Sequence, residues 1–307
     1  MALLKHLVQP HETGRIDLVV RTLTERSRTQ VRGLFDNDCV QLNGSLCTDA
    51  GTPVTVQNEI IINYDKNRNY KEKPRAYQSP IFELVFEDDW LFVINKKAGF
   101  LTAPNHPGEL DTVMGALAKY MSLGTPRRRS VSIVHRLDRD TSGLLVFAKS
   151  DDVAQKIKAQ FAERKPQREY LAIVAGKLEK MSGTFRNFLM TDKNLNQHST
   201  TDEVNGKLAI THYTVKQCFS DATMISVTLE TGRRNQIRVH FAEIGHPVLG
   251  DIRYEAGRAF HPRWRAKRLA LHAAMLGFKH PVTGKPLLFR AKTPEEFIAF
   301  AGKSGQL

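Results

Sequence analysis

The chain has 307 residues, 41% of them hydrophobic, which suits one large and one small domain and is enough to bury a substantial core. Lysine and arginine outnumber aspartate and glutamate by 45 to 32, giving a net charge of +13 that favours a polyanionic partner, with nucleic acid first. The three cysteines have no paired spacing, which argues against a disulfide framework and a thiolate zinc site. No apolar run approaches the ~20 residues of a membrane span, so we expect a cytoplasmic protein.

The first part of the chain, residues 14–62, has the pattern of a small αβ unit. Apolar residues at helical spacing predict two short helices, and Ser27 is placed to cap the second. The pair Asn43–Gly44 predicts the tight turn of a β-hairpin.

This stretch resembles the small S-four RNA-binding domain, in which the second helix and the following turn carry basic residues that meet RNA phosphates. The resemblance implies phosphate contacts by Arg15, Arg28 and Arg32. Asp38 stands where the family usually has glycine, and aspartate tolerates the left-handed backbone of such a turn. The residues that carry the resemblance are Arg15, Asp17, Leu23, Ser27, Arg28, Val40, Asn43 and Gly44.

Between residues 65 and 80 aliphatic residues give way to lysine, arginine and proline, which is typical of a solvated linker. A domain boundary is therefore expected near Lys73. The small RNA-binding domain then covers residues 1–73, with the basic linker from about residue 65, and a larger domain covers residues 74–307.

The larger domain is predicted to be α+β, because strand-like runs alternate with amphipathic stretches. One helix is expected to begin at a cap, Asp111, and another at Ser150, with Val153, Ile157 and Phe161 buried. The strand-like runs are FELVFEDDWLFVINK, SIVH, LLVFAKS, REYLAIVAG, ATMISVTL and LALHAAMLGF.

The loop HRLDRDTSG, residues 135–143, is longer than the about two to five residues of an ordinary hairpin connection. Ser142 lacks the strand-to-helix elbow of a Ser-His-Asp hydrolase, and the aspartates lack the spacing of a magnesium phosphotransferase. A third chemistry uses a single aspartate of the loop that Arg136 and Arg139 keep ionised, and the loop supplies all of its parts. A solvated, ion-paired hairpin tip stays open from the loop alone.

The segment HRLDRDTSGLLVFAK resembles the signature of the RluA-type pseudouridine synthases, in which the aspartate of H-R-L-D is the catalytic residue. The match falls on Asp138. The resemblance extends over residues 83–298 and implies a catalytic domain with a mixed or antiparallel sheet. It also implies that Tyr170 in REYLAIVAG is the active-site tyrosine, and that Arg238 in GRRNQIR pairs with the aspartate. Asn235 replaces the usual histidine of that last motif.

Physical chemistry agrees with these assignments. A helix beginning near Asn235 is expected to bury Ile237, Phe241 and Ile244 and to leave Arg238 at the edge of its buried face. An arginine beside a half-buried aspartate keeps that carboxylate ionised and oriented.

The sequence around Tyr170, His135 and His272 is less specific for a function. The ring of Tyr170 suits either strand packing or stacking on a uracil, in which case its hydroxyl can take part in proton transfer at carbon 5. His135 and His272 are interpreted as structural hydrogen-bonding residues.

The resemblance implies that the protein isomerises specific uridines of structured RNA to pseudouridine, with large-subunit ribosomal RNA favoured over transfer RNA. The uridine would be flipped out of its stack, with Arg136 filling the vacated space. Whether Asp138 adds to the ribose or abstracts a ribose proton is left open. Basic runs at 127–129 and 263–268 are further candidates for phosphate contacts.

The alternative functions are a transfer-RNA pseudouridine synthase and a catalytically silent RNA-binding factor in ribosome assembly. The sequence contains no cofactor or metal-binding motif, so protein side chains alone are expected to carry the chemistry.

Overall fold

The computed structural model describes residues 2–67, 70, 79–106, 108–109, 111–122 and 131–302. The chain forms two compact units, Met1–Ala76 and Tyr77–Leu307. The expected boundary near Lys73 and the basic run at 127–129 lie outside the described residues. Within the described ranges, no helix is long and apolar enough to cross a membrane.

The first unit has a four-stranded sheet with strand order β1-β6-β3-β4, a separate β2-β5 pair and two α-helices. Its apolar cluster joins both helices to the sheet and includes Val20, Leu34 and Ile60. Its elements are β1 (Ala2–Leu7), β2 (Gly14–Arg15), α1 (Ile16–Thr24), α2 (Arg28–Asp36), β3 (Val40–Leu42), β4 (Ser45–Leu46), β5 (Pro53–Val54) and β6 (Glu59–Tyr64).

Local sequence explains the ends of these elements. The Ser27 side chain accepts a hydrogen bond from the Gln30 backbone N–H and caps α2 as predicted. Asn43 (φ 50°) and Gly44 (φ 79°) form the predicted turn between β3 and β4. Asp38 has a φ of 59°, so aspartate takes the left-handed conformation that its position requires.

The second unit is an α+β structure, which confirms the predicted fold class. Every predicted strand-like run forms a strand, and β12, β13, β14 and β17 were not predicted. Its elements are β7 (Phe82–Glu87), β8 (Leu91–Lys96), α3 (Val113–Met121), β9 (Ser132–Ile133), β10 (Ser142–Ala148), α4 (Asp151–Ala162), β11 (Gln167–Ala175), β12 (Ser182–Thr191), β13 (Gln197–Thr200), β14 (Lys207–Cys218), β15 (Ala222–Leu229), α5 (Gln236–Glu243), α6 (Ala256–Ala259), β16 (Leu271–Lys279), β17 (Pro286–Arg290) and α7 (Glu295–Ala301).

These strands form one mixed sheet in the order β13-β12-β14-β15-β11-β16-β10-β8-β7, with β17 on β16 and β9 on β10. Only the β10–β16 pair is parallel, and the other pairs between the described strands are antiparallel. One apolar cluster contains Phe241 of α5 and Phe297 of α7 together with residues of β8, β10, β11 and β15. A second cluster contains Val153 and Ile157 of α4.

Two expectations about helix ends need correction. Thr112, not Asp111, caps α3, because its side chain accepts a hydrogen bond from the Gly115 N–H. In α5, Ile237 and Phe241 are buried as expected, but Ile244 is 45% exposed. The helix ends at Glu243, so Ile244 falls on the C-cap and turns away from the core.

Candidate active site

The long polar loop connects β9 to β10, and the register of the sheet sets its position. Gly143 of β10 pairs with Ala273 of β16, and Ala273 pairs on its other side with Tyr170 of β11. Gly143 has a φ of 118°, and a Cβ there would lie 2.3 Å from the Ala273 carbonyl oxygen, so the contact requires glycine. The three adjacent strands therefore bring the loop and Tyr170 to the same level of the sheet.

The backbone on both sides of Asp138 is fixed by hydrogen bonds. The Thr102 hydroxyl donates to the Leu137 carbonyl at 2.8 Å and accepts from the Leu137 N–H at 3.1 Å. The Gly99 N–H donates to the Arg139 carbonyl at 2.9 Å. Residues before and after Asp138 are thus anchored to the segment that follows β8.

Lys96 at the end of β8 strengthens this anchor. Its side chain is 1% exposed, and Nζ donates to the carbonyls of Lys97, Phe100 and Arg139 at 2.8–2.9 Å. Burial lowers the pKa of Lys96 to about 7. Three acceptors match the three N–H groups of an ammonium, so the contacts themselves favour the charged form.

Arg238 of α5 lies between two carboxylates. Its Nη1 donates to Asp138 Oδ2 at 3.0 Å. Its Nε and Nη2 donate to Asp251 at 2.6 and 2.8 Å, a two-point contact with a side chain that has no solvent exposure. The two carboxylates hold Arg238 charged and raise its pKa, despite its burial. Asp251 therefore fixes the plane of the guanidinium, and the guanidinium in turn orients Asp138.

Asn235 and Tyr254 complete the surroundings of Arg238. Asn235 adopts a left-handed backbone (φ 53°) just before α5 and accepts a hydrogen bond from Arg238 Nη1 at 3.2 Å. Its amide also donates to the Tyr254 hydroxyl at 3.0 Å, and the Arg238 guanidinium lies 5.1 Å from the centre of the Tyr254 ring. At the position where the resemblance implies histidine, the asparagine amide thus binds both Arg238 and Tyr254.

Tyr170 is 9% exposed and lies at an irregularity of β11, where the pairing with β16 shifts between Glu169 and Tyr170. Such bulges change the direction of a side chain beside a site. Burial raises the pKa of Tyr170, so its phenol stays protonated at neutral pH.

Asp138, Tyr170 and Arg238 line a cavity of about 1230 Å³, which we call the Asp138 cavity. Over the described part of the chain, nine of its lining residues are arginine or lysine and three are acidic. An adjoining recess of about 70 Å³ is also lined by these three residues, together with the apolar side chains of Leu137, Leu229, Ile237 and Leu271. The arrangement offers one oriented carboxylate beside a small recess lined by both aliphatic and polar side chains, within a strongly cationic cavity.

Comparison with known proteins identifies the family. Residues 90–243 match the model of the RNA pseudouridylate synthase family, which is half of the chain. The chain belongs to the RNA pseudouridylate synthase family.

Relatives from several bacteria support this membership over nearly the whole length. The chain is 36% identical to ribosomal large subunit pseudouridine synthase D of Vibrio cholerae, covering 92% of this chain and 89% of that protein. It is 34% identical to the protein of that name from Zymomonas mobilis, covering 92% and 91% of the two chains. The corresponding protein of Haemophilus influenzae is 34% identical over 95% and 91%.

Two solved structures share the fold. The human RNA pseudouridylate synthase domain containing 4 protein has a TM-score of 0.58 at 22% identity, over 71% of this chain and 90% of that one. The domain containing 1 protein has a TM-score of 0.55 at 24% identity, over 69% and 84%.

Within this pseudouridine synthase, Ser142 of the loop and the histidines His135 and His272 have structural partners. Ser142 is 4% exposed and its hydroxyl is bound to His272 Nδ1 at 2.7 Å, so it is not an exposed hydrolase nucleophile. His135 Nε2 accepts from the Val146 N–H at 3.2 Å, and its ring stacks on Phe161. Burial lowers the pKa of His135 to about 3 and that of His272 to about 4, which agrees with structural roles for both.

The predicted nucleic-acid contacts are distributed over both units. Arg136 is exposed and lines the Asp138 cavity. In the first unit, Arg15 and Arg28 line a separate groove together with Arg21, and Arg15 is bound to the buried Asp17 at 3.0 Å. Arg32 lies further along α2 and does not line that groove.

The basic run at 263–268 is only partly available for phosphates, which corrects the expectation from sequence. Arg263 donates to the Phe300 carbonyl and lies 4.6 Å from the centre of the Phe300 ring. Arg268 donates to the Ser142 hydroxyl at 2.6 Å. Arg265 and Lys267 are exposed.

Sequence reasoning missed Asp251, although it lies in the matched segment LGDIRY, where Gly250 (φ 77°) makes a turn directly before it. It also missed Arg164, Arg233, Arg234 and Arg253 at the cavity. Arg233 and Arg234 lie within the motif GRRNQIR, which implies a role only for Arg238, and residues such as Arg164 and Arg253 do not stand out in a chain that has 45 lysines and arginines.

Proposed function

We propose that the protein isomerises specific uridines of large-subunit ribosomal RNA to pseudouridine, with Asp138 as the catalytic residue. The substrate is proposed from the three bacterial relatives reported above, all of which are named ribosomal large subunit pseudouridine synthase D. A net charge of +13 supports a polyanionic substrate.

One observation carries the proposal for catalysis. The carboxylate of Asp138 is held at 3.0 Å by Arg238 while 30% of its side chain remains exposed to the cavity. The backbone on both sides is anchored, so the carboxylate has a fixed position and one unshared oxygen, Oδ1. A catalytic group needs this combination of fixed geometry and access to substrate.

The cavity suits a nucleotide that has left its stack. Its volume of about 1230 Å³ exceeds the about 300–1000 Å³ of small-molecule pockets, which leaves room for flanking nucleotides as well as the target. The cationic lining neutralises phosphates, and Arg136 is exposed where it can fill the space that the uridine vacates.

In the reaction, Asp138 acts on the ribose of the flipped uridine and the bond between carbon 1′ and nitrogen 1 breaks. The detached uracil rotates within the Asp138 cavity, and its carbon 5 bonds to carbon 1′. Carbon 5 then loses its proton, and nitrogen 1 ends protonated, so substrate and product are isomers. Tyr170 stacks on the base, and its neutral hydroxyl relays the proton that leaves carbon 5.

The first unit, with the boundaries expected from sequence, serves as an S-four-like RNA-binding module. Arg15 and Arg28 contact phosphates at their shared groove, and Arg32 contacts phosphate further along α2. These contacts contribute affinity without selecting the uridine.

Mapping of pseudouridines in total RNA from cells with and without the gene tests this function. We expect one or more sites in large-subunit ribosomal RNA to disappear without the gene and to return with the wild-type gene. They should not return with Asp138→Asn. Loss of sites in transfer RNA instead would change the substrate, and an unchanged map would favour the silent RNA-binding factor.

A further inference from the structure

Two large aliphatic side chains at the Asp138 cavity are exposed to solvent. Ile252 is 89% exposed and Leu195 is 58% exposed, and both line the cavity that contains Asp138. We call these two side chains the apolar lip. Single exposed aliphatic residues are ordinary on protein surfaces, but these two share one cavity and are held by hydrogen bonds of the neighbouring backbone.

The loop that carries Leu195 is rigid and connects β12 to β13. The Asp192 N–H donates to the Asn196 carbonyl, and the Leu195 N–H donates to the Asp192 carbonyl at 3.0 Å. The Asp192 carboxylate also accepts from the Asn196 N–H at 2.7 Å. Leu195 has a φ of 62°, an unfavourable conformation for a side chain that gains nothing from burial.

Ile252 is held as firmly, because it follows the buried Asp251. The Asp251 carboxylate accepts hydrogen bonds from the backbone N–H groups of Arg253 and Tyr254, at 2.9 and 3.1 Å. The Arg253 guanidinium in turn donates to the Leu195 carbonyl at 3.4 Å. This hydrogen bond joins the backbone at Leu195 to the residue that follows Ile252.

The lip is also connected to the catalytic pair. The Tyr254 hydroxyl accepts from the Gln197 N–H at 3.1 Å, just beyond the Leu195 loop, and from Asn235 at 3.0 Å. The Tyr254 ring carries Arg238 on its face. An RNA bound at the lip thus contacts chain segments whose side chains bind Arg238, the partner of Asp138.

The surroundings favour nucleic acid over a protein partner. Arg233, Arg234 and Arg253 line the same cavity as the lip, and Arg253 follows Ile252 in sequence and donates to the Leu195 carbonyl. An apolar face next to several cations matches a nucleotide, whose base has an apolar face and whose phosphate is anionic. Proteins that unstack a duplex often insert leucine or isoleucine side chains between bases.

We propose that Leu195 and Ile252 form a stacking site for the nucleobase next to the target uridine, and that they hold this base while the uridine occupies the Asp138 cavity. The proposal rests on the proposed function, since it assumes an RNA with a flipped uridine. The ligand class is a nucleobase face in RNA, and Arg136 remains the residue that fills the vacated position.

The test uses a stem-loop transcribed around a uridine that the wild-type protein modifies, with 2-aminopurine as the neighbouring base. Binding of wild type should raise the 2-aminopurine fluorescence as the base leaves its stack. In Leu195→Ala/Ile252→Ala we expect this rise to be largely lost and kcat/KM to fall about 10-fold, or about 1.4 kcal/mol. Val204→Ala is the matched control, because Val204 is 91% exposed and does not line the Asp138 cavity.

A second stem-loop with an abasic site in place of the neighbouring base separates stacking from misfolding. On this RNA the double variant should come within about threefold of wild type, because the base that the lip binds is absent. Equal losses on both RNAs, or a double variant that matches Val204→Ala on the first, would overturn the stacking site. Failure of the proposed function gives a different result, because wild type would then form no pseudouridine in the stem-loop. The 2-aminopurine fluorescence on binding a stem-loop of the same ribosomal RNA would still report on the lip.

Discussion

A single guanidinium serves two carboxylates of unequal environment in this site. The Asp251 side chain has no solvent exposure, whereas that of Asp138 is 30% exposed. Arg238 makes two hydrogen bonds to the buried carboxylate and one to the exposed one. The buried pair therefore acts as a fixed support, and the exposed carboxylate keeps an oxygen for substrate.

We predict that Arg238→Met lowers both stability and turnover. It leaves the Asp251 carboxylate buried without its cation, which costs about 3–5 kcal/mol, and it leaves Asp138 unoriented. The double variant Arg238→Met/Asp251→Leu removes both buried charges and should recover part of the stability in urea unfolding, because the backbone N–H groups of Arg253 and Tyr254 still lose their acceptor. Its turnover should stay at least about 100-fold below wild type, and normal turnover in either variant would remove Arg238 from the site.

Tyr170→Phe removes the tyrosine hydroxyl and keeps the ring, so it tests the proton relay separately from stacking. We expect a large fall in kcat with KM within about threefold, because the ring still packs while the proton relay is lost. Steady-state rates on the modified stem-loop measure both constants. If the phenylalanine variant keeps its kcat, the hydroxyl has no chemical role and stacking alone remains.

The sequence motifs predict Asp138, Tyr170 and Arg238, and the structure places these three residues along one cavity. The sequence does not predict Asp251, because an aspartate after a turn glycine is more often an exposed turn residue than a buried partner. The role of Asn235 is likewise not predictable from the sequence, since one of its two hydrogen bonds depends on the tertiary position of Tyr254 and the other on the orientation of the Arg238 side chain.

Helix α5 is buried along nearly its whole length, so its polar side chains need hydrogen-bond partners within the protein. Every residue from Gln236 to Ala242 is buried. His240 has partners on both ring nitrogens, Thr211 at Nδ1 and Asn187 at Nε2. Gln236 donates to the Thr211 hydroxyl, which can then donate to Nδ1, so the neutral ring satisfies the whole chain.

This arrangement predicts an acid-dependent loss of stability. Burial lowers the pKa of His240 to about 4 from an ordinary 6.5. Between these values the unfolded chain binds a proton that the folded chain does not, so stability is present above pH 6.5 and is lost as pH falls towards 4. The loss is about 3 kcal/mol for this group alone.

Urea unfolding at a series of pH values, with His240→Gln and His11→Gln, tests this prediction. His240→Gln should be less stable at neutral pH but lose less between pH 6.5 and 4. His11→Gln changes an exposed histidine and should follow wild type. Parallel pH curves for His240→Gln and wild type would contradict the buried neutral ring.

The strands show where sequence patterns succeed and fail. Runs of apolar residues predict β7 to β11, β15 and β16, and of these β8, β10, β11, β15 and β16 are interior strands that supply buried residues to the core clusters. The unpredicted strand β12 alternates exposed and partly buried residues, and its serine, threonine and asparagine content resembles that of a loop. The parallel register of β10 on β16 joins residues 130 positions apart and has no local signal.

At the scale of the whole molecule, each unit has hydrophobic clusters of its own residues. The Asp138 cavity is lined by the second unit alone, as counted over the described residues. This separation allows binding and chemistry to be tested independently.

Deletion of residues 1–76 should weaken binding to long ribosomal RNA and spare the chemistry. Loss of phosphate contacts by Arg15, Arg28 and Arg32 should flatten the slope of log K against log salt by roughly 2 to 3 units. Filter binding at several salt concentrations measures the slope, and turnover of a short stem-loop at saturation should be near normal. An unchanged slope and efficiency on long RNA would show that the first unit does not bind phosphates.

The most direct test of the account compares Asp138→Asn with Asp140→Asn by tritium release from uridine labelled at carbon 5. Both aspartates line the same cavity, but only Asp138 is bound to Arg238. We expect Asp138→Asn to release no tritium above background while binding the stem-loop within about threefold of wild type, and Asp140→Asn to keep most of its rate. Tritium release by Asp138→Asn within about tenfold of wild type, roughly 1.4 kcal/mol of barrier, would contradict the catalytic role of Asp138.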